Sequence, residues 1–296
     1  MLTNGQITKK AREALRGQWL KSTGIYVLAV VAIFLVSLLI EFVFDFTDKI
    51  SVVDFNIAGT IAKALFQSVL ACLLTFPFTV GIMRVFYNTA TGNPVKVQDI
   101  FHGFQWDCFW RNSFAILSER AISVFFSILM TIPVTLGVSN FFFEVMLGSD
   151  DASLTTLLLH SPSLQVGFFI ALFILTFFCI FILPAMTTLY YIITAHREIG
   201  VFRTVQMAFS LVSCHKAKYW GFYTRFIVWY IPALALGIAP LIFWEAAIPL
   251  LAAAAIAALF PTSYVLTATI IFNRELEKDF AEKNPEEAAK YMADIQ

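Results

Sequence analysis

Six stretches of the chain carry few or no charges over lengths near the roughly 20 residues with which an α-helix crosses about 30 Å of hydrocarbon. They fall at about 20–44, 61–88, 113–138, 166–193, 219–241 and 246–272. Ahead of each odd-numbered stretch lies a shorter, mixed segment that ends in a tryptophan: ITKKAREALRGQW at Trp19, VQDIFHGFQWDCFW at Trp110 and VFRTVQMAFSLVSCHKAKYW at Trp220. Val97, Ile100, Phe101 and Phe104 recur at helical spacing in the second of these, as do Val201, Val205, Phe209 and Val212 in the third. The pattern predicts an all-α chain whose interfacial helices lie with their apolar faces in lipid or against the bundle, and whose tryptophans sit at the membrane edge.

The even-numbered stretches end alike: TFPFTVGIMRVFYN, ILPAMTTLYYIITA and LFPTSYVLTATIIFN. Each places a proline, Pro77, Pro184 or Pro261, about eleven residues before its end. A proline inside a helix removes a donor and clashes with the preceding turn, so each should bend its helix, with Thr79, Thr187, Thr188, Thr262 or Ser263 available to the freed carbonyls. The chain therefore reads as three tandem units in one orientation, each an interfacial helix followed by a two-span hairpin. Residues 1–273 form one membrane domain. The charged tail 274–296 reads as a solvated cytoplasmic helix, with Asn284 as a helix cap and Pro285 in the first turn after it.

Composition strengthens the membrane reading. Of 296 residues, 59% are hydrophobic and 14% charged, with a mean hydropathy of +0.78, against about 45–50% and about 25% in soluble domains. The first stretch follows a basic head, but it is too long for a signal peptide and shows no small-residue cleavage site before Glu41, so it is expected to remain in the mature chain. Net charge is zero, which gives no footing for nucleic acid. The distribution of charge is more telling. Lysine and arginine gather in the head, around Arg84, Lys96 and Arg111, around Arg197, Arg203, Lys216 and Lys218, and in the tail. By the positive-inside rule both termini are then cytoplasmic.

Of the four cysteines, no pair faces the oxidising side, and Cys214-His215 reads as ordinary interfacial sequence; no metal site and no cofactor is expected. His196-Arg197-Glu198 marks where a span leaves lipid. Glu119 lies about nine residues past Trp110, roughly 13 Å along the helix, and needs a proton or a partner. Arg120 follows it directly but points elsewhere on a helix, so an intramembrane pair of Glu119 with Arg84 or Arg225 is expected, and Glu119→Gln should lower folded yield more than a change at Glu144. A basic-aromatic group, Arg111, Arg120, Lys216, Lys218, Trp220 and Arg225, is suited to anionic lipid headgroups on the cytoplasmic side. Signatures of membrane hydrolases and nucleotide enzymes are missing.

The segments KKAREALRGQW, GIMRVFY, DIFHGF, LPAMTTLYYII and VQMAFSLVSCHKAKYWGFY resemble a family of bacterial integral membrane proteins known as domain of unknown function nine-seven-five, over about Ile7 to Asn273. The resemblance implies six spans in a bacterial cytoplasmic membrane, and it brings neither an activity nor catalytic residues. The proline-marked repeat also resembles the architecture of mitochondrial solute carriers. Those carry an acidic residue two after the proline and a basic one five after, and the residues following Pro77, Pro184 and Pro261 lack these gate charges. The expected function is that of a non-enzymatic membrane protein binding lipid or a membrane partner. The alternatives are a small-solute transporter, whose path would use Gln67, Ser68, Thr75, Ser127, Thr131 and Thr176, and a membrane-embedded enzyme.

Overall fold

The computed structural model describes residues 2–50, 57–147, 162–196, 198–239, 247–286 and 289. Among them every regular element is helical: α1 (Asn4–Leu15), α2 (Trp19–Ile50), α3 (Ile57–Thr91), a 3-10 helix (Val97–Phe104), α4 (Trp106–Leu147), α5 (Pro162–Phe177), a π-turn (Phe178–Ile182), α6 (Leu183–Ala195), α7 (Val201–Ser213), α8 (Lys216–Ile238) and α9 (Ala247–Lys283). Six stretches, Trp19–Phe44, Val69–Thr91, Phe109–Asn140, Leu164–Ala195, Lys216–Ile238 and Ile248–Lys283, are long and apolar enough to cross a membrane. They follow the order of the six apolar stretches in the sequence, and the chain is a multi-pass membrane protein.

By its contacts the chain forms two compact units, Met1–Ile116 with Thr188–Gln296, and Leu117–Thr187. In the first, α1 opens with a capping box in which the Thr3 hydroxyl and the Gln6 amide accept each other's backbone N–H, satisfying two donors that a helix start otherwise leaves open. Gly17, at φ +84°, supplies the left-handed step that turns the chain into α2. Ile7, Ala11 and Leu15 recur every fourth residue and are buried. This face of α1 is therefore covered by protein.

Helices α2 and α3 form an antiparallel hairpin, with Ser22 bonded to Thr89 (3.0 Å) and Tyr26 edge-on to Phe86. The chain then folds back along α3. A Cβ on Gly81 would stand 1.9 Å from the Ile100 carbonyl oxygen, and one on Gly103 would stand 2.3 Å from that of Pro77. Only glycine admits this approach. The expected amphipathic α-helix here is a 3-10 helix, in which residues three apart eclipse: Ile100 and Gly103 turn to α3, while Val97, Phe101 and Phe104 stay exposed. Helix α7 is also rotated from expectation. Its buried face is Thr204, Met207, Ala208, Leu211 and Val212, so Val201, Val205 and Phe209 lie at the margin.

Burial changes near the prolines of α3 and α9. Phe76, Phe78 and Val80 to Phe86 pack around Pro77, as do Ser263, Tyr264 and Thr267 to Asn273 beyond Pro261, while Phe66, Val69, Ile248 and Ile256 on the other side are exposed. Likewise α8 buries Tyr219, Phe222 and Phe226 and exposes Val228, Trp229 and Leu234. The core thus sits at the end where α1 packs on α9, and beyond it the apolar side chains are exposed. Pro184 stands one residue, Leu183, beyond the π-turn, a usual accommodation of a missing donor, whereas Pro77 and Pro261 lie within unbroken α-helix. Thr79 and Thr262 bond the Thr75 and Ala258 carbonyls, neighbours of those the prolines free.

In the second unit a Cβ on Gly167 would meet the Pro133 carbonyl oxygen at 2.4 Å, and Phe126 packs on Phe177 and Phe178. The expected solvated tail departs most from the structure. α9 continues unbroken to Lys283, and Leu276, Asp279 and Phe280 are buried.

Candidate functional site

The end of α9 carries Asn273, Glu277 and Asp279 into a polar hub with α6 and α8. Asn273 Oδ1 accepts from Tyr219 OH (3.0 Å) and from Thr188 Oγ1 (3.2 Å), whose oxygens are 2.5 Å apart. All three residues are fully buried. One turn on, Tyr191 OH donates to Glu277 Oε2 at 2.6 Å. His196 Nε2 lies 2.6 Å from Oε1 of the same carboxylate.

The second carboxylate, Asp279, meets His215 Nε2 and Lys283 Nζ, each at 2.7 Å, and Lys218 Nζ at 3.8 Å. His215 Nδ1 faces the Leu211 carbonyl oxygen at 3.0 Å. A carbonyl and an ionised carboxylate only accept, so the ring serves both when each nitrogen carries a proton. The hydrogen bonds from Lys283 and His215 hold the Asp279 carboxyl down to about 2. Burial raises Glu277, but the contacts with His196 and Tyr191 outweigh it and bring the group below its usual value. The apolar run of α9 ends at Phe272, and since about 20 apolar residues already span the hydrocarbon, Glu277 and Asp279 belong to the charged turns that follow the membrane-spanning part.

Two of the expected site cations close the end of α6. Arg111 donates to the carbonyls of Ile193 (3.1 Å), His196 (3.1 Å) and Ile199 (3.5 Å) and to Asn112 Oδ1. Arg84 Nη1 lies 3.5 Å from the Thr194 carbonyl oxygen, with its guanidinium over the Tyr87 ring. A helix leaves its last carbonyls open and its C-terminus partly negative, and a guanidinium satisfies both conditions. Arg111 is thereby turned inward, away from the headgroup role expected of it.

Glu119 is buried, accepts from Ser123 Oγ at 3.3 Å, and has Arg120 Nε at 3.6 Å. The adjacent arginine therefore does reach it, because its long stem curls back around the helix, although Arg120 itself is largely exposed. Lys216, Lys218 and Arg225 are exposed on the first three turns of α8. Lys218 and Arg225, seven residues apart, share one face with Gly221, beside Asn4 and Gly5 of α1. Trp220 is half-buried, and its Nε1 is shielded from solvent without a partner.

Sequence reasoning missed the hub residues Tyr191, Asn273, Glu277 and Asp279, took Thr188 only as a hydroxyl for carbonyls freed near Pro184 and Tyr219 only as part of the basic-aromatic group, and read His215 as ordinary. A signal was present: the repeat ends FYN and IFN set Asn88 and Asn273 alike, and both are buried, Asn88 donating to Asp99. Among the described residues no group of three or more His, Cys, Asp and Glu side chains is placed to hold a metal ion. In the second unit a shallow apolar cleft of about 450 Å³ lies between α4 and α5, lined by Pro133, Leu136, Gly137, Asn140, Val166 and Gly167 among others. No curated protein and no solved structure matches the chain. A family model described as a protein of unknown function (DUF975) matches residues 1–279. By that match, which takes in the first five spans, most of the sixth and the hub as far as Asp279, the chain belongs to this family.

Proposed function

We propose that the chain is a non-enzymatic protein of a bacterial cytoplasmic membrane, with both termini in the cytoplasm, that binds anionic phospholipid headgroups on that side. The observation that carries this reading is the first part of α8. Tyr219, Phe222 and Phe226 anchor one face of the helix in the core, and Lys216, Lys218 and Arg225 are exposed beside that face, Lys218 with Asp279 at 3.8 Å. Trp220 and Tyr223, half-buried between them, suit the headgroup layer. A membrane-protein partner with an acidic surface would use the same cations. Transport has less support, since the hydroxyls of Thr131 and Thr176 bond to the carbonyls of Ser127 and Leu172 in their own helices.

Each cation near an anionic leaflet contributes about 1 kcal/mol, so three correspond to roughly a hundredfold in affinity. Native mass spectrometry from micelles with equal phosphatidylglycerol and phosphatidylcholine tests this. The wild-type chain should retain phosphatidylglycerol, and a Lys216→Ser, Lys218→Ser, Arg225→Ser variant should retain both lipids alike. Equal retention by the two proteins would remove the reading.

A further inference from the structure

The elbow between α3 and α4 holds a second exposed surface of different chemistry. Its inner side is fixed to α3 by the close approaches at Gly81 and Gly103 and by Asp99, whose Oδ2 accepts from Asn88 Nδ2 (3.1 Å) and from the Lys96 backbone N–H (2.9 Å). The outer side carries Phe101, Phe104, Trp106 and Trp110, with Trp106 77% and Phe101 55% exposed. The rings form one connected set: Phe78 with Phe101 and Phe104, Phe104 with Phe109, Phe109 with Trp110, and Trp110 with Trp106.

An exposed aromatic surface of this size on a rigid support needs a covering. What covers it follows from continuity. Trp110 and the exposed Phe114 already belong to the apolar stretch Phe109–Asn140, so the surface that faces hydrocarbon runs on into the elbow. We infer that Val97–Trp110 is a wedge inserted into the lipid leaflet at the terminal end, with Phe101 and Phe104 at the top of the acyl layer and the indoles of Trp106 and Trp110 among the glycerol and phosphate groups. The 3-10 form suits this role: its eclipsed rows give one row to α3 and the next to lipid, and the tight seat on the glycines holds the rings at a set depth. The wedge takes neutral phospholipid as readily as anionic, so it is independent of the headgroup site on α8.

The test uses the full chain in vesicles of phosphatidylcholine alone, brominated either near the headgroup end of the acyl chains or near their tips. The contribution of Trp106 is the difference between wild type and Trp106→Phe, a change at an exposed ring that leaves the seat on α3 intact. Trp110→Phe gives a second, independent difference. Shallow bromines should quench each contribution at least about twice as strongly as deep ones, as befits an indole at the interface, and aqueous iodide should quench little. Strong quenching by iodide with none by bromine would place the elbow in water or leave it for a protein partner, and would overturn the inference. Stronger quenching by deep bromines than by shallow ones would overturn it too. Neither result bears on the anionic site, which phosphatidylcholine does not probe.

Discussion

Replacing Asp279 with leucine tests the hub through its most buried ion pair. The His215 and Asp279 side chains are only 4% and 9% exposed, whereas those of Lys218 and Lys283 are 48% and 60% exposed and remain hydrated without the carboxylate. Those lysines then account for under about 1 kcal/mol each. The loss comes from His215, whose buried Nε2 is left without its carboxylate partner, at about 3 kcal/mol. At about 2 °C per kcal/mol for a chain of this size, the melting temperature should fall by roughly 6 °C. The assay is a thermal ramp in micelles read by tryptophan emission, with hydrogen exchange over 273–283 to localise the change. A double change, Asp279→Leu with His215→Leu, removes both members of the pair and should melt higher than Asp279→Leu alone. The pH dependence has a definite sign. A carboxyl held at about 2 in the folded chain, against 3.8 ordinarily, stabilises fully above about pH 4 and loses that contribution as pH falls towards 2. Glu277, also lowered, acts in the same direction. A melting temperature for Asp279→Leu within about 1 °C of wild type, or a double variant no better than the single one, would refute the reasoning.

Two further sites, the close approach at Gly81 and the Arg111 contacts with the end of α6, are probed by substitution with a control for each. Gly81→Ala would set a methyl 1.9 Å from the Ile100 carbonyl and should cost about 2 kcal/mol in the same thermal ramp, whereas Gly24→Ala, with nothing within 4 Å, should melt like wild type. Arg111→Met leaves three carbonyls at the end of α6 without their donor and should cost about 2–3 kcal/mol; Arg111→Lys should recover less than half of that, since one ammonium does not span the geometry of a guanidinium fork.

The spans were legible because hydrocarbon imposes a single long apolar run on each. The faces of the shorter helices were less so. In α7 the spacing of valine and phenylalanine suggested one face, but Thr204, Met207 and Ala208 fill the buried one, because a seam is set by the shape of its partner as well as by hydrophobicity. The glycines at 81 and 103 gave no sign of a mutual seat for the 3-10 helix, since close backbone approach leaves no mark in composition. The charged turn of α9 reads as solvated when its neighbours in sequence are considered, and its partners are remote: His215 is 64 residues from Asp279 and Tyr191 is 86 from Glu277. Arg111 shows the same limit, being basic and beside a tryptophan like a headgroup anchor, yet bonded to carbonyls more than 80 residues away.

The headgroup proposal is tested most directly by an electron cryo-microscopy structure of the full chain in a nanodisc of phosphatidylglycerol. The account predicts headgroup density in contact with Arg225 and with Lys216 or Lys218 on the outer flanks of α8. Well-ordered side chains there with no lipid beside them, and headgroups bound elsewhere on the chain, would contradict it.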